Sequence, residues 1–112
     1  MAITAYLDID QGSDFNTVIE LENNDGTPMD LRGFSVYSQF RKSYGSTTAY
    51  QFDATIVDAL NGKISLALSG TASSAIRPGR YLYDVELVIG TSSKTRVIEG
   101  IITINPEITR IP

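Results

Sequence analysis

The sequence contains no cysteine, no histidine and no tryptophan. Without cysteine there is no disulfide, no thiolate nucleophile and no cysteine-bound zinc. Without histidine there is no Ser-His-Asp or Cys-His constellation. Basic residues are in the minority, nine against thirteen acids, for a net charge of −4 and a pI near 4.6. Phosphate contact needs a basic stripe, so nucleic acid is not an expected partner. No apolar run is long enough to span a bilayer, and no membrane partner is expected. The opening "MAITAYLDIDQG" has neither a basic n-region nor an apolar h-region, so it does not read as a signal peptide. Synthesis in a cytoplasm is the expectation. No Gly-rich phosphate loop follows a strand, and no cofactor is expected.

What is present suits one domain over residues 1–112. The chain is 42% apolar, enough for a core without metal or disulfide staples. Its dominant period is two. Ile3, Ala5, Leu7 and Ile9 share a face, as do Phe15, Thr17, Ile19 and Leu21. The pattern repeats at Phe34, Val36, Ser38, Phe40; at Tyr50, Phe52, Ala54, Ile56; at Ile64, Leu66, Leu68; and at Tyr81, Tyr83, Val85, Leu87, Ile89. "KTRVIEGIITIN" closes the set. Such alternation marks half-buried strands. Turn chemistry separates the runs: "NNDGTPMD", "SYGST", Asn61-Gly62 and "GTSS". Only "SGTASSAIRPG" breaks the rhythm. It reads as one short helical turn near 70–77, opened by a Ser cap and ended by Pro78 and Gly79. About seven strands with turns every 8–12 residues predict an all-β, immunoglobulin-like antiparallel β-sandwich. A small closed barrel buries the same faces and competes with it.

The stretch "RPGRYLYDVEL" places Tyr81 and Tyr83 at the mouth of a strand, just after Gly79. In immunoglobulin-like sandwiches a tyrosine at this place sends its hydroxyl back to upstream backbone. Tyr81 is therefore expected to be the corner, and Tyr83 a core residue. A catalytic role for either is the weaker reading.

Other candidates are weighed against plainer ones. "DIDQGSD" faintly resembles a calcium loop, but counting from Asp8 the sixth position is Ser13 and the twelfth Ile19, so the match fails. A strand end and turn explain it better, and no metal site is expected. "NDGTPMDL" is turn chemistry. Tyr37, Arg41 and Tyr44 form a candidate contact patch, because Tyr and Arg are enriched at interface hot spots. A solvated strand end is the competing account. Composition leaves a two-carboxylate glycosidase open. Yet all thirteen acids read as strand faces or turns, no pair stands out, and no enzyme or catalytic residue is expected.

Three segments, in order, resemble a phage structural family. They are "DQGSDFNTVIELENNDGTPMDLRGFSVYSQFRKS", "ISLALSGTASSAIRPGRYLYDVELVIG" and "TRVIEGIITINPEITR". The likeness is to the immunoglobulin-like domain at the N-terminus of phage baseplate upper proteins, and to small virion proteins of marine tailed phages. It implies a structural virion protein of the tail or baseplate, made in the host cytoplasm. Its partners would be other virion proteins, and it would be homo-oligomeric or multi-copy. Baseplate upper proteins continue into a long further chain, so a sequence stopping at Pro112 is expected to be free-standing. A capsid decoration protein is the second reading, and a host-surface glycan-binding module using Tyr37, Tyr44 and Arg41 the third. Residues 106–112 are expected to form a flexible C-terminal arm, with Ile108, Arg110 and Ile111 as its contact residues.

Overall fold

The computed structural model describes residues 3–90 and 93–108. Nine strands run in chain order: β1 (Ile3–Thr4), β2 (Leu7–Asp10), β3 (Phe15–Glu20), β4 (Phe34–Arg41), β5 (Tyr50–Gln51), β6 (Asp53–Asp58), β7 (Lys63–Leu68), β8 (Gly79–Ile89) and β9 (Ser93–Asn105). One short helix, α1 (Gly70–Ser74), lies between β7 and β8. The larger sheet has the order β1-β9-β8-β4-β5, with β2 also pairing β9; the smaller is β3-β7-β6. Two separate sheets make this a sandwich and exclude the closed barrel.

Alternation places the core. Phe40, Val85, Leu87, Ile102 and Ile104 of the larger sheet face Ile64, Leu66 and Leu68 of the smaller, all buried. Ring contacts add geometry, with Phe40 and Phe52 centroids 4.9 Å apart and Phe40 edge-on to Tyr81 at 5.6 Å.

Three features depart from simple antiparallel alternation. First, β1 and β2 pair with β9 in parallel, so the sandwich is not wholly antiparallel. The chain between them leaves the ladder at Ala5, whose carbonyl oxygen lies over Gly100; a Cβ there would come within 1.8 Å of that oxygen. Ile3, expected on the core face, is exposed at this edge, and Ile89 is exposed at the end of β8. Second, Tyr50–Asp58 is one extended run that serves both sheets. β5 pairs β4, β6 pairs β7, and the N–H of Phe52 between them donates to Ser38 O at 3.0 Å. Joining these segments, and β1 with β2, reduces nine strands to the seven expected runs. Third, Val85 pairs Ile98 but Glu86 pairs Arg96, so Val97 is an extra residue in β9. This bulge lets adjacent Val97 and Ile98 both be buried.

The helical turn sits where the sequence placed it. Ser69 accepts from the Ala72 N–H at 3.1 Å as N-cap. Buried Ser73 accepts from the Gly12 N–H at 3.0 Å and donates to Ser13 O at 3.0 Å. Asp14 accepts from the Gly70 N–H at 2.6 Å, and Gln11 donates to Ile76 O at 3.0 Å. "DQGSD" is thus the strap that fastens α1 to the turn between β2 and β3.

Candidate functional site

Tyr81 is buried on β8, and its hydroxyl donates to Arg77 O at 2.6 Å. That is the bond a tyrosine corner requires. Gly79 starts the strand at φ +140°, a conformation that side chains rarely adopt. Lys42 lies over the Tyr81 ring, its Nζ 4.9 Å from the centroid. Tyr83 is buried as well, and its hydroxyl donates to Ala5 O at 2.9 Å. Burial pushes the Tyr83 phenol up to about 12, and it raises Tyr81 too. Both phenols are therefore neutral hydrogen-bond donors at physiological pH. The two tyrosines hold strand ends together.

The surface that gathers chemistry is the outer face of the larger sheet. Residues there alternate with the core set along β4, β8 and β9. Register assembles rows across the strands: Tyr37–Glu86–Arg96, Gln39–Asp84–Glu99 and Arg41–Leu82–Ile101. Arg96 Nε lies 3.1 Å from Asp84 Oδ2, and its Nη1 lies 3.3 Å from Glu99 Oε2. Lys94 Nζ stands 3.6 Å from Glu86 Oε2. Arg41 donates to Ser46 O at 2.9 Å, which ties the β4 end to its following loop. Burial, then the neighbouring Glu86 charge, hold the Asp84 carboxyl above its ordinary value, with Arg96 opposing them.

These side chains floor a groove of about 460 Å³ lined by Tyr6, Gln39, Arg41, Tyr44, Asp84 and Arg96 among others. Tyr44 is 79% exposed and Tyr6 72%. Tyr37 is 53% exposed and lines an adjoining shallow groove with Gln51, Glu86 and Lys94. Arg41 borders both grooves. The predicted trio Tyr37, Arg41 and Tyr44 therefore shares one surface, but the two tyrosines serve neighbouring depressions. Ile108 is far from buried, at 94% exposure. Arg110 and Ile111 lie outside the described residues. Sequence reasoning missed Tyr6, Asp84, Arg96 and Glu99. Their signal was the outward half of the alternation, but only the β8–β9 register and its bulge bring Arg96 diagonally onto Asp84.

Among the described residues, no three acidic side chains converge in a metal-binding group. Asp25 is occupied by its own turn, accepting from the Thr27 N–H at 3.0 Å, and Asp30 pairs with Arg32 at 2.6 Å.

No family model matches the chain, and no curated protein matches it. Among solved structures it is similar to the Listeria monocytogenes internalin-like protein lmo2027. The TM-score is 0.53 and the identity 15%, over 93% of this chain and 28% of that one. It thus spans well under two thirds of that protein. It is also similar to a chain from photo-crosslinking analyses of multimeric cell-adhesive interactions of VGSC beta subunits. There the TM-score is 0.41 and the identity 13%, over 93% and 92% of the two chains. Identities this low speak to fold alone. The two sheets, the sheet-switching run and the tyrosine corner make this chain an immunoglobulin-like β-sandwich.

Proposed function

We propose that this chain is a structural virion protein of a tailed bacteriophage, an assembly module of the tail or baseplate that works by docking onto other virion proteins. The placement in a virion rests on the ordered sequence resemblance. The geometric observation that supports docking is the outer face of the larger sheet: three exposed tyrosines, Tyr6, Tyr37 and Tyr44, around a charged floor. Tyrosine supplies contact area at low entropic cost, arginine is enriched with it at interface hot spots, and a mixed-charge floor selects a partner by complementarity. No bond-making step belongs to this mechanism.

Mass spectrometry of gradient-purified particles, with heads and tails separated, tests the placement. Enrichment in tails at low copy is the expected result. Hundreds of copies with heads would make the chain a capsid decoration protein. Absence from both fractions would remove the virion reading. A second reading, a glycan-binding module, is favoured by one observation: the Tyr6–Tyr44 groove combines two exposed rings with hydrogen-bonding Gln39, Arg41 and Asp84. A glycan array separates the two, since a structural protein gives no hits.

A further inference from the structure

One side of the sandwich is closed by the chain itself, where Tyr50–Asp58 passes from one sheet to the other. On the opposite side the chain crosses between the sheets only through the tight turn at residues 11–14, and β2 and β3 are each edge strands. The edges differ in how they are defended. β5 is two residues long. β6 carries a bulge between Ile56 and Asp58 and is flanked by Asp53 and Asp58. The β1–β2 edge is interrupted at Ala5 and Tyr6, and β2 bears Asp8 and Asp10. β3 has neither the short length, the bulge nor the break, and its own charge is confined to its last residue, Glu20. Its six residues, Phe-Asn-Thr-Val-Ile-Glu, pair β7 in unbroken register and contain no proline or lysine.

The direction of its free groups follows from one bond. The Leu21 N–H donates to Gly62 O at 2.8 Å, continuing the same register. Antiparallel ladders alternate, so Phe15, Thr17 and Ile19 bond toward β7, and the N–H and C=O of Asn16, Val18 and Glu20 face outward. A second observation points the same way. The core-facing side chains of β3, Phe15, Thr17 and Ile19, are only half-buried, whereas their partners Leu68, Leu66 and Ile64 on β7 are buried. Among the described residues, no strand neighbours this edge, either for its backbone or for its inner side chains.

We propose that the missing neighbour is β3 of a second copy, paired antiparallel about a two-fold axis at Val18. The strand is self-complementary in this register. Val18 meets Val18 of the second copy on the outer face, and each Asn16 amide stands opposite a Glu20 carboxylate. Thr17 and Ile19 meet on the inner face. The pairing closes about six backbone hydrogen bonds and joins two three-stranded sheets into one of six strands. The inference does not depend on the virion reading.

The absence of cysteine makes the test clean. Sedimentation equilibrium of the purified chain should give twice the 12.2 kDa monomer mass. Val18→Lys sets two like charges directly opposite each other and should return the monomer mass. Val18 is 55% exposed, so the variant should keep the wild-type circular dichroism spectrum. In a hydrogen-bonded pair the Cα atoms lie about 5.5 Å apart, within disulfide reach. Val18→Cys should therefore form a covalent dimer under mild oxidation, and Thr55→Cys on β6 should not. A wild-type chain that stays monomeric at millimolar concentration overturns the proposal. So does a dimer that survives Val18→Lys and is not trapped by Val18→Cys.

Discussion

At the scale of single residues, polar atoms on apolar side chains set the joints of this fold. A tyrosine ring buries a large apolar area, and its hydroxyl must then find a partner. Tyr81 finds Arg77 O and Tyr83 finds Ala5 O. Tyr81→Phe should keep the fold and lower stability by about 1 kcal/mol, the net worth of one hydrogen bond. A urea melt with an unchanged midpoint would show that the corner bond contributes nothing. Asp84 yields a pH prediction. Its carboxyl is held above its ordinary value chiefly by burial, so the native state binds the proton more tightly than the unfolded chain does. Ionisation of Asp84 therefore costs the native state stability, in full above the raised value and not at all below the ordinary one. Wild-type protein should gain stability relative to Asp84→Asn as pH falls from neutrality to about 4. Urea midpoints across that range, with the variant gaining instead, would reverse the assignment.

At the scale of elements, two connections decide how strands meet. The strap between the 11–14 turn and α1 uses backbone donors and acceptors that would otherwise be orphaned, so a short helix is stable without a long amphipathic face. The other connection is the close approach of Ala5 to Gly100. Gly100→Ala would drive a Cβ into the Ala5 carbonyl. The expected outcome is release of β1 with a loss of about 1–3 kcal/mol, since backbone must move to make room. Amide exchange at Ile3–Ala5 should rise sharply while exchange in β7 stays slow. Equal protection in the variant would mean that the strand accommodates the methyl group.

At the scale of the whole molecule, the sandwich presents one face with rings and charges and one open edge. The proposed docking rests on the first, across the larger sheet, and the proposed self-pairing on the second, along β3. Of the described residues after β9, 106–108, Glu107 is tied by its N–H donating to Gln11 Oε1 at 3.1 Å. Deleting residues 106–112 should cost about 1 kcal/mol or less, leave the circular dichroism spectrum unchanged, and weaken incorporation into particles. Unimpaired incorporation would remove the arm from the assembly mechanism.

The sequence by itself determined which side of the long core strands is buried, though not of β1 or at the β9 bulge, because period-two alternation is a local property of pleated chain. It also determined the helical turn, from Ser69 through Gly79, and the corner at Tyr81, since caps, proline and glycine act within a few residues. Tertiary structure alone decided the rest. The parallel pairing of β1 and β2 with β9, the passage of one run between two sheets, and the bulge at Val97 all depend on partners far along the chain. So does the site: Arg96 meets Asp84, and Tyr6 and Tyr44 line one groove, only because register and sheet order bring them together. Hydrophobic pattern fixes the face a side chain occupies, while the identity of its neighbour on the next strand is set by hydrogen-bond register between strands that no local pattern encodes.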